Sequence, residues 1–436
     1  MTNKVTSPQI DIVSKGPLID DAFNIHLTGF TPGQRLTLKA SMLDDFARQW
    51  EAYAEFQADE QGRVDVATQK PLAGTYNNAD PMGIVWSMLP TGEKQNILFA
   101  KVQATHIPLL LSVEVAGETV TRVDMDRKLA TPEIERTQVR EAGLFGTFFQ
   151  PAGSERVPAV LLFGGSSGGL NESKAALLAS HGYAVLALAY FSYEQLPQYL
   201  VNIPLEYFAT ALDWLQAQPL VNGDRLAVMG QSKGGELALL LGATFPQIKS
   251  VVAYVPSSVV WRGLSGSYEQ MLSKPSSWSY HGQPLPSVPM LYTSSSNTDS
   301  MPPPPQGQAI SFTSLYLNSL SNTEAVERAA IPVEKTNGPV LLISAQDDAL
   351  WPSTHFCELV MERLDKYTFP YAYQHLNYKG AGHLINYPYL PTTATASLQS
   401  NSGVTLLYGG NAQDTAFAAE DSWGKVLAFL QQHLQA

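Results

Sequence analysis

The sequence predicts an α/β protein in two parts: an all-β, immunoglobulin-like sandwich, then a mostly parallel sheet flanked by helices. Three observations carry this. Over residues 17–125, short runs alternate apolar and polar residues between turn signals. Beyond about residue 140, continuous apolar runs alternate with helical segments, as in a sheet covered on both faces. In residues 224–243, DRLAVMGQSKGGELALLLGA, a strand, a tight turn and a helix follow one another with a serine at the tip.

Residues 1–15 are polar and read as loose. Leu36, Leu38, Ala40 and Met42 then share one face of a strand, as do Trp50, Ala52, Ala54 and Phe56, and Leu109, Leu111, Val113 and Val115. Pro32-Gly33, Asp59 to Gly62 and Ala116-Gly117-Glu118 supply turns. No chemistry stands out here; His26 and His106 are isolated and read as structural or surface residues. Residues 126–140 are charged and aperiodic, which places the boundary between a domain of residues 1–137 and one of residues 138–436.

A hairpin near Leu144–Phe149 leads into the second pattern. Strands are expected at 159–163, 184–188, 226–229, 251–255 and 340–344, with helices at 172–181, 205–218 and 420–433. Residues 256–337, rich in Ser, Pro and Tyr, interrupt the order just after the serine helix and its strand, and are expected to form a lid over the site.

The chain has 436 residues, 44% hydrophobic and 15% charged, which fits a well-buried globular enzyme. A formal net charge of −12 speaks against a sequence-independent nucleic-acid binder, which needs a basic face. The single cysteine, Cys357, forms no intrachain disulfide and reads as a core residue of a helix over 354–364. The N-terminus has no apolar signal segment and no run of 18 apolar residues exists, so a cytoplasmic protein without a membrane span is expected. Neither cofactor nor metal is called for, and the partner expected is a small-molecule substrate.

The chemistry gathers on Ser232, in Gly230-Gln231-Ser232-Lys233-Gly234. The strained turn holds the hydroxyl out at the end of its strand, and the helix behind it offers free N–H groups to a developing oxyanion. A serine needs a base. His383, in the loop Gly380-Ala381-Gly382-His383, has the order and context for one; His375 lies within a strand and reads as structural. Asp347 or Asp348, past the strand 340–344, can orient the histidine; Asp348 is preferred because Pro352, four residues on, starts a helix. The oxyanion hole is assigned to the Lys233 amide and to Ser166 and Ser167 in Phe163-Gly164-Gly165-Ser166-Ser167-Gly168-Gly169. A phosphate cradle is the other reading of that loop, but it lacks the Lys-Ser/Thr ending of a P-loop.

With these residues laid out, the chain resembles the type I acyl-CoA thioesterases, which form one family with the bile acid-CoA:amino acid N-acyltransferases. The likeness runs from about residue 18 to the end. It rests on residues 59–65 (DEQGRVD), 81–88 (PMGIVWSM), 168–170 (GGL), 187–191 (ALAYF), 232–237 (SKGGEL), 346–348 (QDD), Gly382-His383 and 388–391 (PYLP). It implies a β-sandwich followed by an α/β-hydrolase domain, and its serine, aspartate and histidine fall on Ser232, Asp348 and His383. Family members that transfer the acyl group to an amine typically carry cysteine as nucleophile, so Ser232 implies hydrolysis of acyl-CoA through an acyl-serine. Residues 261–275 and the prolines at 302–305 stand as extra length against the family pattern, and there is no basic cluster for the CoA phosphates. The alternatives are a carboxylesterase or dienelactone-hydrolase-like enzyme acting on an oxygen ester, and acyl transfer to an amino acid.

Overall fold

Alternating burial builds the first part of the chain. In the computed structural model, which describes residues 7–92, 97–264, 275–291, 308–398 and 404–435, it contains strands β1 (Gln9–Ser14), β2 (Phe23–Thr28), β3 (Arg35–Leu43), β4 (Gln49–Gln57), β5 (Ile107–Val115) and β6 (Glu118–Arg127). β3 pairs antiparallel with β4 on one side and β5 on the other, and β5 pairs with β6. Their inward residues, among them Leu38, Met42, Trp50, Phe56, Leu109 and Leu111, share one core with Phe23, Ile25 and Leu27 of β2. The result is a two-sheet antiparallel sandwich. The start of the chain departs from the loose reading: β1 pairs along its length with β2, because Ile10 and Ile12 pack against this core.

The larger sheet contains β7 (Ile134–Val139), β8 (Phe145–Pro151), β9 (Val157–Phe163), β10 (Ala184–Ala189), β11 (Val221–Gln231), β12 (Ile248–Tyr254), β13 (Val340–Ala345) and β14 (Tyr373–Tyr378). Its order is β7-β8-β10-β9-β11-β12-β13-β14; the last six in that order are parallel and β7 and β8 form an antiparallel edge. β7 straddles residue 137, so the chain passes between the two sheets over residues 128–133, upstream of the boundary expected at 137. Its charged residues concealed it: only the last of its six residues is fully buried, as an edge strand allows.

Helices α1 (Glu172–Ser180), α2 (Leu205–Gln216), α3 (Lys233–Thr244), α4 (Ser353–Lys366) and α5 (Ala412–Leu430) cover the sheet. Phe208, Leu212, Leu237, Leu241 and Val360 of α2, α3 and α4 pack on one face. Leu177 and Leu178 of α1 and Trp423, Val426 and Leu430 of α5 pack on the other. That second face belongs to the same continuous core as the sandwich. From β9 the chain goes outward through α1 to β10, then returns through α2 to β11 on the opposite side of β9. Strand order therefore reverses between β9 and β11, and such a switch point opens a crevice beyond the strands' C-terminal ends.

The described parts of residues 256–337 are ordered into short pieces. Trp278–Tyr280 pairs with Ile203–Pro204, and two short helices span Thr313–Ser319 and Thr323–Ala329. Val259, Trp261 and Val288 form a small core with Trp351 and Phe356. The proline run at 302–305 and residues 265–274 lie outside the described residues.

Candidate active site

The turn after β11 puts Ser232 at φ +59° and ψ −121°, a conformation an L-residue adopts only when its surroundings enforce it. Close approach enforces it here. A Cβ on Gly234 would come 2.3 Å from the Gly164 carbonyl oxygen, and one on Gly165 would come 2.8 Å from that of Gln231. Only glycine lets the loop after β9 lie against the elbow. The Ser232 N–H donates to the Tyr254 carbonyl (2.9 Å), and the Ser232 carbonyl accepts from the Glu236 amide (3.0 Å).

His383 Nε2 lies 2.9 Å from Ser232 Oγ, and its Nδ1 lies 2.8 Å from Asp348 Oδ2. All three residues are buried. Asp348 Oδ1 accepts the Leu350 and Trp351 amides (3.0 and 3.2 Å), which fixes the carboxylate plane and leaves Oδ2 for the imidazole. The His383 N–H donates to the Tyr408 carbonyl (2.9 Å), and the rings of Trp351 and Tyr408 flank it at 5.9 and 6.3 Å. Asp347, one residue away on the same turn, is exposed. Of the two aspartates the structure thus joins Asp348 to the histidine, and Pro352 does precede α4. His375 sits on β14 with its Nε2 2.7 Å from Ser344 Oγ, and burial lowers its pKa. Cys357 is buried in α4, and burial pushes its thiol well up.

Ser232 and His383 open on a cavity of about 240 Å³. Ser166 and Ser167 line it; Lys233, the first residue of α3, has no intrahelical acceptor for its amide. The other walls come from Leu350, Leu384, Tyr408 and two residues of the sandwich domain, Leu98 and Val102. Among the described residues none of 256–337 lines it, which corrects the lid expectation for those residues. They pack behind the acid instead: Thr313 Oγ1 donates to the Asp348 carbonyl and Ser311 Oγ to that of Ala349. The alternation that marked the sandwich as structural gave no sign that the segment after Phe99 reaches the site. Asp45 holds it there, binding Lys101 Nζ (2.7 Å) and the amides of Val102 and Gln103. The Val102 carbonyl in turn accepts the first amides of α1, from Glu172 (2.8 Å) and Ser173 (3.1 Å).

Two buried lysines complete the surroundings. Lys233 Nζ contacts both Glu236 carboxylate oxygens (2.6 and 2.7 Å), and Glu236 Oε1 also accepts Trp278 Nε1 (2.8 Å). Burial pushes the carboxyl up and the amine down, and their contact opposes both shifts. Lys174, on α1, lines the cavity itself; burial lowers it to about 8. Its one sequence signal is a charge in the otherwise apolar run Lys174 to Ala179.

Comparison with known proteins agrees with this architecture. Residues 203–436 match the model of the BAAT / acyl-CoA thioester hydrolase C terminal, and residues 20–141 that of the acyl-CoA thioester hydrolase/BAAT N-terminal region. Human acyl-coenzyme A thioesterase 1 is 30% identical over 422 residues, covering 95% of this chain and 94% of that protein. Mouse acyl-coenzyme A thioesterase 3 is 30% identical over 426 residues (96% and 92%). Mouse bile acid-CoA:amino acid N-acyltransferase is 30% identical over 435 residues (98% of each). A sandwich, a switch-point serine and matches to both family models lead to one conclusion: the chain belongs to the acyl-CoA thioester hydrolase/BAAT family.

Proposed function

We propose that this chain is a serine acyl-CoA thioesterase, releasing a carboxylic acid and CoA through an acyl-serine intermediate. The observation that carries the reading is the buried Ser232–His383–Asp348 chain at 2.9 and 2.8 Å, in a member of this family. His383 Nε2 takes the Ser232 proton as Oγ attacks the thioester carbonyl. The oxyanion meets the Lys233 amide and the loop at Ser166 and Ser167; one such donor is typically worth about 10²–10³ in kcat. The intermediate collapses, the C–S bond breaks, and His383 returns the proton to the departing thiolate. Water then gives His383 a proton and attacks the acyl-serine, freeing the acid and restoring Oγ–H. Asp348 holds the imidazole tautomer and stabilises the imidazolium.

Hydrolysis is favoured over transfer to an amine by the nucleophile. An acyl-serine is an oxygen ester, less activated toward amines than the thioester a cysteine would form.

The test is thiol release from acyl-CoAs of increasing length, run beside matched oxygen esters and Ser232→Ala. Thioesters are expected to lead by more than about tenfold in kcat/KM, about 1.4 kcal/mol in the transition state. Ser232→Ala is expected to lose essentially all turnover with its fold intact. Near-wild-type activity in that variant overturns the mechanism, and a lead for oxygen esters overturns the substrate class.

A further inference from the structure

Lys174 is 5% exposed and takes no part in the triad chemistry. It lines the chamber of about 240 Å³ that holds Ser232, and not the larger one of about 510 Å³ that adjoins it past Leu98, Ser167 and Tyr408. Whichever chamber receives the acyl chain and whichever the CoA arm, the thioester carbonyl has to come to Ser232, and so into the chamber that Lys174 lines. Two contacts fix the lysine beside the elbow. Its Nζ lies 4.7 Å from the centre of the Tyr254 ring, and the Tyr254 carbonyl accepts the Ser232 N–H at 2.9 Å. The turn of α1 that carries it is held by Ser173 Oγ, which donates to the Lys101 carbonyl (2.7 Å).

Among the described residues no carboxylate pairs with Lys174 Nζ and no hydrogen bond holds it. The other buried lysines among them differ: Lys101 is paired with Asp45 at 2.7 Å and Lys233 with Glu236 at 2.6 Å. An ion pair keeps an amine charged and unreactive; burial without one favours the neutral form. Burial lowers Lys174 to about 8. About one amine in ten is then neutral at pH 7, against about one in a few thousand for a lysine at its ordinary value. A neutral amine kept from water, in a chamber it shares with a thioester, is a nucleophile at high effective concentration.

We propose that Lys174 is a self-acylation site: its amine takes the acyl group from acyl-CoA bound in this chamber and keeps it as an amide, so that the enzyme is progressively inactivated by its own substrate. The nitrogen lone pair attacks the thioester carbonyl, a C–N bond forms, the C–S bond breaks, and the proton lost by nitrogen goes to the departing thiolate. The products are an Nε-acyl-lysine and free CoA. The thioester rather than the acyl-serine is the donor, because an oxygen ester is the less activated toward amines. The amide resists hydrolysis, and its acyl group stays in front of Ser232, where it blocks the next substrate. This step needs acyl-CoA as the ligand, as in the thioesterase reading, but not turnover by Ser232.

The test incubates Ser232→Ala with hexanoyl-CoA, strips esters and thioesters with hydroxylamine, and maps the remaining acyl groups by mass spectrometry. A single resistant hexanoyl group per chain is expected, on Lys174, gained at least about tenfold faster than on any other lysine. That advantage is expected to vanish in urea, where the chamber is gone. The rate is expected to rise with pH and level above about 8, as the amine becomes neutral. A chain without a resistant acyl group, a Lys174 no faster than exposed lysines, or an advantage that survives in urea overturns the proposal. In wild type, thiol release from hexanoyl-CoA is expected to decay as Lys174 is acylated, whereas Lys174→Arg holds its own initial rate. Steady release in wild type, or equal decay in both, overturns the self-inactivation. If wild type releases only a single thiol per chain while Lys174 is acylated, the site stands and the thioesterase reading falls.

Discussion

Neighbouring aspartates on one turn have different fates because one backbone step reverses their surroundings. Asp347 faces water, whereas Asp348 accepts two amides on one oxygen and His383 on the other. Asp348→Asn keeps the shape but turns the imidazole toward the wrong tautomer, and a fall in kcat of about 10³–10⁴ is expected. Asp347→Asn, an exposed change, is expected to stay within about twofold of wild type. Steady-state rates of the two variants on one acyl-CoA check the assignment, and a larger loss in Asp347→Asn would reverse it. Proline spacing already favoured Asp348 in the sequence, since a helix start at Ser353 fixes the turn before it. Lys174 was not legible. A lysine in the first turn of a helix is ordinary, and only the packing around α1 shows that this one is buried.

At the scale of elements, α3 is tied down by more than its strand. Glu236 joins Lys233 to the indole of Trp278, which lies in the excursion after β12. Glu236→Gln keeps an acceptor for the indole but leaves Lys233 without its counter-charge. A loss of about 3–5 kcal/mol is expected, read as a lower urea midpoint with unchanged slope. Changing both residues to apolar ones of similar volume should recover most of it, because the pair then no longer has to be desolvated. Strands and helices of the parallel sheet were legible because burial on both faces leaves continuous apolar runs, as in Ala184–Ala189. β7 was not, since an edge strand tolerates the charges of Glu135 and Arg136. The loop–elbow contact was visible as glycines; for the excursion, length and composition mark an insertion without giving the direction in which its described residues fold.

For the whole molecule, the sandwich and the larger sheet share a core and a cavity wall. Asp20 accepts His181 Nε2 (2.6 Å) and Trp423 Nε1 (2.8 Å), linking the first part of the chain to α1 and α5. Arg127, buried at the end of β6, donates to the carbonyls of Leu18, Ile19 and Asp21 and stacks near Tyr389. Asp45→Ala removes the anchor of the Leu98–Val102 wall while leaving the triad untouched. Its expected signature is a KM raised about tenfold with kcat changed less, measured by thiol release. The shared core also sets an order of events during synthesis. The sandwich leaves the ribosome first, but the face it rests on is finished by Trp423, Val426 and Leu430 of α5. About 300 residues separate the end of β6 from those side chains, roughly 15–60 s of translation. Until then a nascent chain already holding serine, aspartate and histidine displays an open apolar face, so its final helix decides whether it matures or is handed to chaperones.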